Sequence, residues 1–242
     1  MGPIMVLTLR ALTRGKRLLA ISLLLAIPPL LSLLDQGNVD MQSGEFAMDI
    51  FYQLMIPILL PLTTLVLATS ALGGEVEDGT LPYLTLKPVS RVSIVVAKLL
   101  AVILVSTVLV EVSSALMYLI AEHSTFSGRD FGAILLSALA GCIAYSAVFL
   151  PLGLFIPRRG LIVGFMYVLI WEGLLAGFST GLATLSVRRY VQGVLEAGLG
   201  SSPLASLYPS SVSGTVSLLV VLALLAIGGL LTTWRLIRIQ LP

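Results

Sequence analysis

Apolar residues fall into six long blocks, 18–34, 50–72, 94–120, 132–156, 161–185 and 214–234, separated by short polar stretches. A helix needs roughly 20 residues to cross about 30 Å of hydrocarbon, and each block comes close to that length. Segments of about ten residues that alternate polar and apolar, the mark of a transmembrane barrel, are absent. Lipid offers the backbone no partners, so helix, which satisfies its own, is the expected form. The pattern predicts an all-α integral membrane protein: one domain over 1–242 with six transmembrane helices.

Two further stretches are helical in pattern but not spans. Residues 4–17, "IMVLTLRALTRGKR", place Arg10, Arg14 and Arg17 at helical spacing beside Met5, Leu9 and Leu12. That suits an amphipathic helix lying in the membrane interface. Residues 186–213 open with a mildly amphipathic segment, "SVRRYVQGVLEAGLGSS", and continue into the turn-rich "PLASLYPSS" before the last block. They read as an external segment.

Composition strengthens the membrane assignment. Of 242 residues, 57% are hydrophobic and 11% charged, with a mean hydropathy of +1.06, whereas soluble domains carry about 25% charged residues. The basic N-terminus followed by an apolar run resembles a secretion signal. Pro28-Pro29 and the ending "SLLDQ", which lacks a small-residue cleavage site, point to a retained span instead. The single cysteine, Cys142, lies inside the fourth block. A disulfide framework is therefore excluded, and Cys142 reads as a small core residue.

Charge then sets the orientation. With both termini cytoplasmic, eleven basic residues fall inside: Arg10, Arg14, Lys16, Arg17, Lys87, Arg91, Lys98, Arg158, Arg159, Arg235 and Arg238. Three fall outside, Arg129, Arg188 and Arg189. Short loops rich in Lys and Arg stay cytoplasmic, which puts residues 74–90 on that side.

That loop holds the densest chemistry in the chain. Gly73-Gly74 closes the second block, and Glu75, Glu77 and Asp78 come next within four positions. On a helical turn Glu75 and Asp78 share a face, with Gly79 one position further. Gly79 permits close approach by another backbone, and Thr80 can cap the next turn. Pro82 and Pro88 prevent one long helix, and Ser90 has the chemistry of an N-cap for the third span. Charge alone fits a solvated acidic loop as well as a docking surface. Leu81, Tyr83, Leu84 and Leu86, interleaved with the charges, favour docking of a soluble partner.

The string "GEVEDGTLPYLTLKPVSRVSIVVAKLL" resembles the cytoplasmic segment of ABC-2 type permeases, the membrane subunits of type-two ABC exporters. The similarity rests on Glu75, Gly79, Thr80, Leu81, Pro88, Ser90, Arg91 and Lys98, and the six spans and basic N-terminal helix agree with it. The resemblance implies that 74–90 is a coupling loop seated in an ABC ATPase subunit, with Glu75, Asp78, Gly79, Thr80 and Arg91 as coupling residues. It also implies a second permease copy, as homodimer or paralogue, and a place in the cytoplasmic membrane. ATP and Mg would sit on the partner ATPase and no cofactor on this chain. Nucleic acid is not an expected partner.

Other candidates carry less. "GFSTG", Gly177–Gly181, fits a nucleophile-elbow pattern, but Ser179 lies in an apolar helix with no histidine base nearby. The one histidine, His123, cannot hold zinc alone. "ALGGEVEDGT" lacks the Gly-Lys-Ser/Thr of a phosphate-binding loop. Glu111 and Glu172 stand in apolar surroundings, where a mid-membrane carboxylate costs about 2.5–3.5 kcal/mol. They are candidates for a pathway or inter-helix role. The alternatives to the permease reading are an ion-coupled secondary transporter using them and, more remotely, an intramembrane hydrolase using Ser179. Pro28-Pro29, Pro57 with Pro61, and Pro151 mark helices expected to bend.

Overall fold

Pro28-Pro29 breaks the first apolar block where the sequence predicts. In the computed structural model, which describes residues 2–13, 15–34, 43–77, 90–121, 127–175, 183–208 and 212–238, α2 (Lys16–Leu25) ends at Ala26 and α3 (Ile27–Leu34) resumes. Proline has no N–H, so Pro29 leaves the Leu25 carbonyl without its helical donor. The Ser113 hydroxyl of α6 (Arg91–Ala121) takes that place, donating to Leu25 O at 2.6 Å. A bent helix is thus sealed by its neighbour, as membrane helices require.

The element order begins with α1 (Gly2–Thr13), α2 and α3. The second apolar block forms one continuous rod. It runs through α4 (Ser43–Ile50), a wide-turned π-helical stretch π1 (Phe51–Leu59) that contains Pro57, and α5 (Leu60–Glu77). After α6 come α7 (Gly128–Phe155), α8 (Gly160–Met166), a second π-helical stretch π2 (Tyr167–Leu175), α9 (Val187–Leu199) and α10 (Gly214–Arg238). Among the described residues there is no strand, and five helices are long and apolar enough to cross a membrane: 16–34, 45–76, 91–121, 128–155 and 214–238.

The long helix α7 is the centre of the bundle, packing against α5, α6, α9 and α10. Its small residues let neighbours approach closely. Pro151 frees the Ala147 carbonyl, and Gly228 of α10 lies directly on it. A Cβ at Gly228 would stand 2.1 Å from Ala147 O, so only glycine permits this contact and its Cα–H can face the carbonyl. Thr69 of α5 meets Gly153 in the same way, with a hypothetical Cβ 2.9 Å from Thr69 Cα. The pairs 60/141 and 69/153 make α5 parallel to α7, and 228/147 with Arg235 over the Phe155 ring at 5.3 Å does the same for α10.

A single span was expected over 161–185 in the fifth apolar block. The described helix covers Gly160–Leu175, residues 176–182 lie outside the described residues, and a turn at 184–185 precedes the next helix. The chain then starts a new helix, α9, inside the segment expected to be external. Val191 lies against Gly141, Gly198 against Ala133, and Arg129 donates to Ser201. Falling numbers on α7 against rising ones on α9 make the two antiparallel, with α9 along the N-terminal half of a spanning helix. Gly160 against Leu152 and Gly153, then Tyr167 against Phe149, give α8–π2 the same direction. The two pieces follow one course along α7, end to end. The amphipathic pattern of 186–202 is genuine, but its apolar face (Val187, Val191, Val194, Leu195, Leu199) is buried in the bundle. Tyr208 anchors the turn after α9 by donating to Asp49 at 2.6 Å, and burial together with that carboxylate pushes its phenol well above the usual range.

Candidate functional site

Two polar clusters interrupt the apolar interior. The first joins the C-terminal end of α5 to α6. Lys98 is 1% exposed, and its ammonium donates to the Ala71 carbonyl at 2.5 Å and lies 2.7 Å from Glu75 Oε1. Ala71 stands six residues before Glu77, so its carbonyl keeps a helical donor in the Glu75 N–H and offers its second lone pair to the lysine. Lysine is suited to this place, since its three N–H groups can serve a carbonyl and a carboxylate at once. Glu75 is the one expected coupling residue that the structure places in this cluster. Arg91 caps a different helix, donating from Nη1 to the Leu236 carbonyl near the end of α10. Asp78, Gly79 and Thr80 lie outside the described residues, as does the rest of the loop as far as residue 89.

Beside this pair a cavity of about 370 Å³ opens between α1, α5 and α6, with Arg17, Glu75 and Lys98 in its wall. The helix α1 that roofs it packs against α6 and α5. The sequence motif contains both Lys98 and Glu75, but its spacing does not pair them. The available signal was a lysine two turns into an otherwise apolar helix, which demands a counter-charge.

The second cluster surrounds Glu172, which is fully buried. Its Oε1 accepts from the Tyr167 hydroxyl at 2.7 Å and the Val187 N–H at 3.0 Å. Its Oε2 accepts from the Ser186 hydroxyl and from the Arg188 N–H at 3.2 Å. The first N–H groups of α9 have no intrahelical acceptors. A carboxylate from the preceding helix supplies one and favours the positive end of the α9 dipole. The carboxylate therefore acts as a cap delivered across the interruption, joining π2 to the start of α9.

The other candidates are dispersed. Glu111 sits half-exposed on α6 and makes no hydrogen bond or ion pair among the described residues. Cys142 is buried in the core. Ser179 and His123 lie outside the described residues. Among the described residues no group of His, Cys, Asp and Glu could hold a metal ion.

Several long apolar helices around a central α7 define a multi-pass helical membrane protein. The sequence profile described as ABC-2 family transporter protein matches residues 12–171. The chain belongs to this family of transport permeases. The matched stretch contains the Lys98–Glu75 pair and ends one residue before Glu172. No curated protein matches the chain significantly.

Proposed function

We propose that this chain is the permease subunit of an ATP-driven exporter, coupled through residues 74–90 to a separate ABC ATPase. The observation that carries the proposal is the Lys98–Glu75–Ala71 tie. The segment with the Glu-x-x-x-Gly-Thr pattern grows directly out of α5, and its first carboxylate is fastened to α6. A push on the loop therefore reaches two spanning helices at once. ATP and Mg bind the partner chain, and a second permease copy completes the pathway. The chain crosses the cytoplasmic membrane six times, the interrupted α8–π2–α9 course being the fifth passage, with both termini cytoplasmic.

The test is co-purification and transport-linked ATP hydrolysis with the cognate ATPase in nanodiscs. Glu75→Gln keeps an acceptor for Lys98 but removes the charge, and Gly79→Leu blocks close approach. Both are expected to insert normally and to lose ATPase retention or stimulation. Wild-type coupling in both variants overturns the proposal. Orientation is checked separately with single cysteines in a Cys142→Ala background. Asp40→Cys is expected to label from outside intact cells and Arg159→Cys only after permeabilisation, and the opposite pattern inverts the topology.

A further inference from the structure

The cavity under α1 has the chemistry of a binding site in its own right. Lys98 has three N–H donors; one goes to Ala71 O and one to Glu75, and the side chain stands in the cavity wall. Arg17 brings a guanidinium to the same wall and makes no hydrogen bond or ion pair among the described residues. Two cations against one carboxylate leave a surplus of positive charge. The remaining wall mixes the apolar Ile4, Leu12, Val66 and Leu67 with the hydroxyl-bearing Thr8 and Ser70, and Leu7 at the same cavity is 57% exposed. Gly74 contributes no side chain, and a Cβ built there would meet nothing within 4 Å. Among the described residues the space is open at that point.

We propose that this cavity binds the phosphate headgroup of an anionic membrane phospholipid, with the phosphate between Arg17 and Lys98 and the acyl chains leaving past Leu7. Volume, charge and position all bear on the choice of ligand. About 370 Å³ lies near the small end of ligand sites, which span roughly 300–1,000 Å³. That suits a headgroup better than a bulky solute. Basic pockets between membrane helices at the cytoplasmic leaflet are suited to anionic headgroups. With α1 in the membrane interface and the termini cytoplasmic, as proposed above, the opening stands at headgroup depth, where phospholipid is the most abundant phosphate. A soluble phosphate compound shares the polar chemistry but would leave the apolar wall and Leu7 uncovered. The inference does not depend on an ATPase partner, so it can fail while the exporter proposal stands, and the reverse.

Native mass spectrometry of the delipidated permease alone, titrated with phosphatidylglycerol, tests it. One phosphatidylglycerol per chain is expected to survive activation, and diacylglycerol, which lacks the phosphate, is not. Arg17→Gln is expected to weaken retention about tenfold, the worth of one charge-assisted hydrogen bond. Gly74→Leu, which fills the cavity and touches neither cation, is expected to abolish it. Inorganic phosphate and glycerophosphate are run as competitors. Displacement of the lipid by either at equal concentration overturns the lipid assignment in favour of a soluble ligand. Retention unchanged in both Arg17→Gln and Gly74→Leu overturns the site.

Discussion

Glu172 and Lys98 are both fully buried ionisable side chains in an apolar bundle, yet their surroundings are opposite in kind. An ionised carboxylate has about four lone-pair sites, and at Glu172 four donors occupy them, two on each oxygen. All four come from residues 167–188, so the cluster closes on itself. Lys98 meets one carbonyl and one carboxylate, and that carboxylate is 30% exposed and borders an open cavity. A saturated cluster has no capacity for a further partner and holds the backbone in place. An unsaturated one can exchange partners with a loop, a ligand or a neighbouring subunit. This difference separates the carboxylate that belongs to architecture from the one expected to take part in function.

The largest effect is expected at the closed cluster. Glu172→Ala leaves two hydroxyls and two N–H groups buried without their acceptor, and breaking a buried charged network costs about 3–5 kcal/mol. Folded protein recovered after heating in mild detergent should fall sharply. Glu172→Gln should not rescue it, because the amide N–H₂ must face one of the two pairs of donors. A Gln variant as stable as the native protein would mean that the negative charge is not required, and the contrast with Lys98 would collapse. An ion-coupled role for Glu172 makes the reverse prediction, a folded Gln variant with altered transport.

The open pair should break asymmetrically. Glu75→Ala strands an ammonium that is 1% exposed and keeps only the Ala71 carbonyl. A loss of about 3 kcal/mol is expected, the lower end for an unpaired buried charge. Lys98→Met removes the lysine from a carboxylate that is 30% exposed, and about 1 kcal/mol is expected, as for a partly exposed pair. Exchanging the two charges should not restore stability, since a carboxylate at position 98 would face the Ala71 carbonyl. Thermal unfolding of the three variants in one detergent checks the order, and equal losses in the two single variants would show that Glu75 is as buried as Lys98.

The same contrast explains what the sequence disclosed. Glu75 and Lys98 were legible only as members of one motif; the cost of a lone lysine in lipid, which points to their pairing, was not used. The apolar blocks gave the spanning helices at 16–34, 45–76, 91–121, 128–155 and 214–238 because length and hydropathy are what the bilayer selects. The turn at 184–185 was not legible, because no proline stands before it and the apolar block ran on to 185. Glu172 stood out by its charge, but two of its four donors are backbone N–H groups, which no side-chain pattern encodes. The segment 186–202 has the period of a surface helix. Only tertiary packing reveals that its apolar face meets α7 rather than lipid or water. Ser113 escaped notice for a related reason: the carbonyl it satisfies lies 88 residues away.

The smallest effect is expected at Tyr167, and it probes how closed the Glu172 cluster is. Tyr167→Phe removes one donor of four and keeps the ring, which stands edge-on to Phe149 at 6.0 Å. Side-chain hydrogen bonds between membrane helices average about 0.6 kcal/mol, so a loss of that order is the starting estimate. A reserve donor lowers it further. Tyr145 is fully buried, and its hydroxyl lies close to Glu172 without completing a hydrogen bond among the described residues. With the Tyr167 hydroxyl gone, a small rotation about the Tyr145 side chain can bring its hydroxyl to the vacated lone pair. Tyr167→Phe and Tyr145→Phe should each be nearly neutral alone, while the double variant should lose more than their sum, the signature of two groups serving one acceptor. Simple additivity in a double-mutant cycle would show that four donors suffice and that the Tyr145 hydroxyl takes no share in the cluster.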